Sequence, residues 1–254
     1  MTAPAPPFRI ALSGKGGTGK TTTAALLVDA FRRKGEIPLL AVDADPNANL
    51  HEALGMEVTE TLGAMREEAF TKAIPAGMSR LDYVRLRFRQ VLVEGTGVDL
   101  IAMGRPEGTG CYCFSNNLLS ECLVGLQAEY RFIVIDAEAG MEHISRGTIG
   151  MPDLLLIVSD PGARGMRTAT RIRDIALSLG LPRERIYLVV NRVRAGAADI
   201  GGEPVPLIAE VPADPAIEEA DLEGRPIVTI PGDSPARLAI EALAARILAI
   251  ARAR

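Results

Sequence analysis

Cysteine is scarce. Three residues in a chain of 254 cannot build a disulfide framework, and reducing conditions leave all three as free thiols. No apolar run approaches the roughly 20 residues of a membrane-spanning helix; the longest, such as Leu154–Val158, are strand-sized. The first residues, Met1-Thr-Ala-Pro-Ala-Pro-Pro, have neither the basic start nor the apolar stretch of a signal peptide, so the expected location is the cytoplasm. Positive charge is not in surplus: the formal net charge of −4 argues against a protein that holds nucleic acid on a strongly basic face. Glycine and proline, 25 and 17 residues, stay below the level of low-complexity sequence. There is no internal repeat and no long linker. Lysine is also rare, with Lys15, Lys20, Lys34 and Lys72 only. Two of these four lie within one short glycine-rich stretch, which singles that stretch out.

What remains is the composition of an ordinary globule, 48% hydrophobic and 24% charged, with enough apolar residues for a substantial core. Strand-like runs recur at Phe8–Leu12, Pro38–Val42, Val98–Met103, Phe132–Ile135, Leu154–Val158, Ile186–Val190 and Leu207–Val211. Several are apolar at consecutive positions, the pattern of parallel strands covered on both faces. Helical patterns lie between them, at Thr21–Lys34, Ser79–Val93, Asn117–Glu129, Met166–Leu179 and Pro235–Arg252. In the last, Leu238, Leu243, Ile247 and Ile250 are read as the buried stripe, with Arg246 and Arg252 outward. The alternation predicts an α/β fold, a doubly wound, mainly parallel sheet flanked by helices. We expect one domain over 1–254, with residues 50–97 as a helical insertion between the second and third strands.

Gly14-Lys15-Gly16-Gly17-Thr18-Gly19-Lys20-Thr21 fits G-x-x-x-x-G-K-[ST], between an apolar strand and a helix. Glycines let backbone N–H groups turn toward phosphate oxygens, and the helix N-terminus adds partial positive charge. Lys20 supplies a point charge for the β- and γ-phosphates, and the Thr21 hydroxyl is a Mg²⁺ ligand; Thr22 completes the nucleotide-binding stretch. Asp43-Ala44-Asp45-Pro46-Asn47 and Asp136 follow apolar strands, at the carboxyl ends where α/β sheets bind ligands. Asp136 is the expected Mg²⁺ carboxylate, acting through water.

The strand Ile186–Val190 runs into Asn191-Arg192-Val193-Arg194. A guanine reader of the N-K-x-D type needs a carboxylate where this chain has Arg194, a donor that cannot accept. Adenine is therefore favoured, with Asn191 as base contact and Arg192 beside it.

Lys15 goes beyond the basic motif. The loop resembles the deviant Walker A of the MinD/ParA/nitrogenase-iron-protein (SIMIBI) class of P-loop ATPases. That resemblance implies an ATP-bound homodimer in which Lys15 reaches the partner's nucleotide. It also makes Asp45 the water-positioning residue and Asp43 a neighbour of the Mg²⁺, an N-cap or Asx-turn aspartate being the alternative for Asp43, and Val211-Pro212-Ala213-Asp214 a second adenine loop contributing Val211, Pro212 and Asp214.

Gly110-Cys111-Tyr112-Cys113 sits in a glycine-rich loop. One C-x-C supplies two thiolates where a closed tetrahedral site wants four, and a two-fold axis through the loop would supply the others. A metal or redox role for Cys111 and Cys113, shared across a dimer, is expected, the alternative being two buried, inert cysteines. Cys122, on the apolar face of the next helix, reads as packing. Together with Asp136-Ala-Glu-Ala-Gly-Met-Glu-His143, these motifs resemble the carbon monoxide dehydrogenase maturation ATPases (CooC type). That implies ATP hydrolysis coupled to nickel insertion, with carbon monoxide dehydrogenase or its acetyl-CoA synthase relative as target and no nucleic-acid or membrane partner. His143 is read equally as a further ligand or a helix-surface residue. The alternatives are an electron-transfer protein like the nitrogenase iron protein, and a positioning ATPase of the MinD or ParA kind. The first is disfavoured because that family's cluster cysteines lie far apart in sequence. The second needs an amphipathic tail or a basic face that the sequence does not clearly provide.

Overall fold

The computed structural model describes residues 6–47, 49–71, 74–104, 129–137, 150–194 and 205–254. Among the described residues seven strands form one parallel sheet: β1 (Phe8–Ser13), β2 (Leu39–Ala44), β3 (Val98–Ala102), β4 (Phe132–Ala137), β5 (Leu154–Ser159), β6 (Ile186–Val193) and β7 (Leu207–Pro212). Their order is β3-β2-β4-β1-β5-β6-β7. β2, β4 and β5 are buried at every position, which is why they read as unbroken apolar runs rather than alternating ones.

Each sheet face carries its own core. On one face α1 (Lys20–Arg33), α2 (Leu50–Leu54) and α7 (Pro235–Arg252) pack over Ile10, Leu12, Leu39, Val134 and Leu156. The stacked rings of Phe31 and Phe132, 5.0 Å apart, sit in this layer. On the other face α3 (Leu62–Thr71), α4 (Arg80–Val91) and α5 (Ala163–Ser178) cover Ala11, Val42, Ile133, Ile157 and Leu188. A short helix, α6 (Pro215–Leu222), follows β7, with Ala220 in the first core. α2, α3 and α4 lie between β2 and β3. No helix among the described residues is long and apolar enough to cross a membrane.

The stripe expected on α7 is corrected. Leu238 is 50% exposed, and the buried residues are Ala236, Arg237, Ile240, Leu243, Ala244, Ile247 and Leu248. At about 100° per residue, position 238 points away from 236 and 240, so Leu238 and Leu243 cannot share a face. Arg237 fills a core-side position because it has a buried partner: its Nη1 donates to Asp29 Oδ2 at 2.6 Å, tying α7 to α1. Arg246 and Arg252 do face outward. The expected helix at Asn117–Glu129, apart from Glu129, and Cys111, Cys113, Cys122 and His143 lie outside the described residues.

Candidate functional site

The carboxyl end of the sheet gathers the motif residues. β1 lies between β4 and β5, and the loop leaving it leads directly into α1. Two glycines here are sterically required. A Cβ on Gly14 would meet the Val158 carbonyl oxygen at 2.1 Å, and one on Gly19, where φ is +89°, would meet Asn191 Nδ2 at 2.1 Å. Gly19 caps α1 without a side-chain hydrogen bond, and the first turn holds no acidic residue. The N-terminal N–H groups of α1 are thus left for an anion. Lys20 is buried and its Nζ donates to the Lys15 carbonyl at 3.4 Å, while Lys15, Gly16 and Gly17 are exposed. The Thr18 hydroxyl donates to the same carbonyl at 2.8 Å.

Strand register puts Asp43 of β2 directly beside Asp136 of β4. The Thr21 hydroxyl donates to Asp136 Oδ2 at 2.6 Å. Asp136 Oδ1 is buried and has no hydrogen-bond partner. Burial pushes the Asp136 carboxyl up to about 6, against the Thr21 hydrogen bond and the Lys20 charge, with Asp45 adding to the rise. Asp43 is pushed up to about 7, again chiefly by burial, with the charges of Asp136 and Asp45 adding. Two buried carboxylates side by side, one with a vacant lone pair, form a site that favours a cation.

Asp43 also organises the loop that follows it. Its carboxylate accepts from Leu50 N–H at 2.8 Å and Asp45 N–H at 3.1 Å, so it closes an Asx-type turn and anchors the start of α2. Both carboxylate oxygens are used in this way. Asp45 accepts from the backbone N–H and side-chain amide of Asn47 at 2.8 and 3.0 Å.

The residues expected at the base also make hydrogen bonds within the fold. Asn191 is buried; its Nδ2 donates to the Thr18 carbonyl at 2.9 Å and its Oδ1 accepts from Arg192 N–H at 2.9 Å. The carboxamide braces the phosphate loop. Asp214 is likewise engaged within the fold. It caps α6 through Ala216 N–H at 2.9 Å, and it accepts from Ala236 N–H, at the start of α7, at 3.0 Å and from the Ser234 hydroxyl. Burial alone would raise this carboxyl, but the three hydrogen bonds together hold it below the usual carboxylate range. Val211 is buried and Pro212 half-buried. Ala213 N–H donates to the Val193 carbonyl at 2.9 Å, so this loop is joined to the end of β6.

Sequence reasoning missed the frame behind the site: Asp214 with Ser234, then Arg237, one turn into α7, with Asp29 on α1. Ser234-Pro235 and Asp214-Pro215 are recognisable N-cap and N1 pairs. The Asp29–Arg237 pair, 208 residues apart, leaves no local signal.

Residues 10–227 match the CobQ/CobB/MinD/ParA nucleotide-binding domain family. The chain belongs to this family. Membership makes the chain a nucleotide-binding ATPase, and the G-x-x-x-x-G-K-[ST] loop described above is the motif that points to where phosphates would sit. An uncharacterized ATP-binding protein of Methanocaldococcus jannaschii is 41% identical over 251 residues, covering 94% of this chain and 98% of that protein. The carbon monoxide dehydrogenase accessory protein CooC of Rhodospirillum rubrum is 32% identical over 238 residues, covering 85% and 88%. Among solved structures, the septum site-determining protein MinD of Pyrococcus horikoshii with Mg-ADP superposes with a TM-score of 0.70 at 26% identity, covering 96% and 97%. ATP or ADP with Mg²⁺ is therefore the implied ligand, and the orphaned Asp136 oxygen beside Thr21 fits the ion. Among the described residues no group of three or more His, Cys, Asp or Glu side chains is arranged to hold a metal ion.

Proposed function

We propose that this chain is an ATP-driven metallochaperone that dimerises with ATP and supports nickel insertion into the active-site cluster of a carbon monoxide dehydrogenase or an acetyl-CoA synthase. The observation that carries the reading is one backbone contact. Met103 N–H donates to the Asp43 carbonyl at 2.9 Å, and Met103 C=O accepts from Gly63 N–H at 2.8 Å. Gly104 follows, and the segment bearing Cys111 and Cys113 comes next in the chain. The strand end from which that segment departs is thus bonded to the aspartate whose carboxylate holds the Asp45 loop. A change at the nucleotide has a hydrogen-bonded route to the strand end that precedes the Cys111 and Cys113 segment in the chain. The 32% identity to an accessory protein of carbon monoxide dehydrogenase supports the same target.

In this reading Lys20 binds the β- and γ-phosphates, and Thr21 and Asp136 hold Mg²⁺. Held by these two residues, the ion would supply positive charge to the β- and γ-phosphates. Asp45 orients the attacking water, Asp43 keeps the Asp45 loop in reach, and Lys15 of one protomer meets the nucleotide of its partner. Nickel or zinc is the cargo of the four thiolates that two protomers supply.

Metal analysis of anaerobically purified protein, with and without ATP, tests this. Nickel or zinc without sulfide supports a metallochaperone; iron with stoichiometric sulfide would favour an electron-transfer protein. Absence of any bound metal, with ATP-dependent dimerisation intact, would favour the positioning-ATPase reading, which the likeness to MinD also accommodates.

A further inference from the structure

Two consecutive side chains at the end of β6 hold two consecutive carbonyls of the phosphate loop. Asn191 Nδ2 donates to the Thr18 carbonyl at 2.9 Å, and Arg192 Nη1 donates to the Gly17 carbonyl at 3.1 Å. A trans peptide plane carries its C=O and the next N–H on opposite sides. Drawing the carbonyls of 17 and 18 toward β6 therefore turns the N–H groups of Thr18 and Gly19 away from it. Thr18 N–H donates across the loop to the Lys15 carbonyl at 3.4 Å, a long bond that a phosphate oxygen would have to replace.

Arg192 reaches Gly17 through an unusual backbone. Its φ is +59°, and among the described residues it is the one non-glycine in the left-handed region. Arginine has no short polar side chain to ease that conformation, as asparagine or aspartate would. The strand is also irregular here. Asn191 pairs with Val211 and Val193 with Pro212, and the register shifts between them, so Arg192 is the extra, bulged residue. Bulges beside functional sites re-aim a side chain. This one is held by Arg192 N–H on Asn191 Oδ1 and by Ala213 N–H on the Val193 carbonyl.

We propose that Arg192 is a positioning residue of the ATPase: the bulge aims its guanidinium at the apex of the phosphate loop, presetting the N–H groups that receive the phosphates. The guanidinium acts through the Gly17 carbonyl and does not itself touch the nucleotide. This rests on the phosphate loop being the nucleotide site.

Arg192→Gly separates the brace from the fold, because glycine adopts this φ without strain. The nucleotide-free variant keeps a melting temperature at or above wild type, yet peptides spanning residues 14–20 exchange amide hydrogens faster. Affinities for ADP and ATP, measured by calorimetry with Mg²⁺, fall by the same factor of about tenfold, the loss expected for one hydrogen bond from a charged donor. Wild-type affinity and wild-type loop exchange in Arg192→Gly, while Lys20→Ala loses binding, overturn the brace alone. Loss of ATP affinity with ADP unchanged makes Arg192 a γ-phosphate contact and overturns it too. A melting temperature that falls together with affinity assigns Arg192 a structural role instead. Wild-type protein that binds no nucleotide overturns the site reading and the brace with it.

Discussion

Replacing Asp136 by asparagine makes the energetic cost of the cation site measurable. The carboxyl stands at about 6 in the fold against 3.8 for the free group, so folding tightens its hold on a proton by about two pH units. A carboxyl raised in this way contributes stability that is fully present below the unfolded value and lost as pH rises through the folded one. At about 1.4 kcal/mol per unit, the nucleotide-free protein forfeits on the order of 3 kcal/mol by neutral pH. Roughly half of that develops between pH 5 and pH 8, because the unfolded chain is already ionised at the lower value. The asparagine that replaces it carries no titration. Its own cost, an amide N–H₂ where Oδ1 lacked a partner, is the same at every pH and cancels. Asp43, pushed up in part by the Asp136 charge, is relieved in the variant and adds in the same direction.

A chain of this size shifts its melting temperature by about 2–4 °C per kcal/mol. Thermal melts without nucleotide and with magnesium chelated are therefore expected to show Asp136→Asn gaining about 3–6 °C on wild type between pH 5 and pH 8. Magnesium with ADP at pH 8 closes the gap by stabilising the wild-type protein and not the variant. A difference that stays constant across that pH range refutes the argument that the buried charge is what the site holds ready for Mg²⁺.

Lys15→Ala is expected to keep nucleotide binding and lose the ATP-induced dimer; light scattering after gel filtration that still shows the dimer removes the trans role. Asp45→Ala is expected to bind ATP without hydrolysing it and to accumulate as the dimer, because a water-orienting carboxylate acts on the attacking water and not on the phosphate grip; wild-type phosphate release in that variant moves the role to another group. Asp214→Ala removes the caps of two helices, about 1 kcal/mol each, so a fall of about 4–8 °C in melting temperature is expected. Adenine-nucleotide affinity changes less, and an unchanged melting temperature contradicts the capping assignment.

The parallel strands were legible because burial on both faces writes itself as consecutive apolar residues. The phosphate loop was legible because its glycines and lysines stand at fixed spacing. Helix faces were harder. On α7 the residue type misled, since Leu238 is apolar but exposed and Arg237 is charged but buried with Asp29. α2 has five residues, too few for a periodic pattern. α6 is announced by Asp214-Pro215, but the bond from Ala236 N–H to the same aspartate joins segments that no local pattern connects. Asn191 shows the same limit. Its position after a strand gives no sign of its partner, the Thr18 carbonyl, 173 residues away. Spacing reports chemistry that is local in sequence, and a brace between distant segments exists only in the folded chain.

The central claim, a metal shared by Cys111 and Cys113 of two protomers under the control of ATP, is tested most directly by counting ions per assembly. Anaerobic protein loaded with nickel or zinc is separated by gel filtration with light scattering, and metal is quantified across the peak, with and without ATP. The expected result is one ion per ATP-bound dimer, binding that weakens at low pH as the thiols hold their protons, and no ion in the Cys111→Ser/Cys113→Ser variant, whose dimer still forms. One ion per monomer, or equal metal in the double variant, would contradict the shared site.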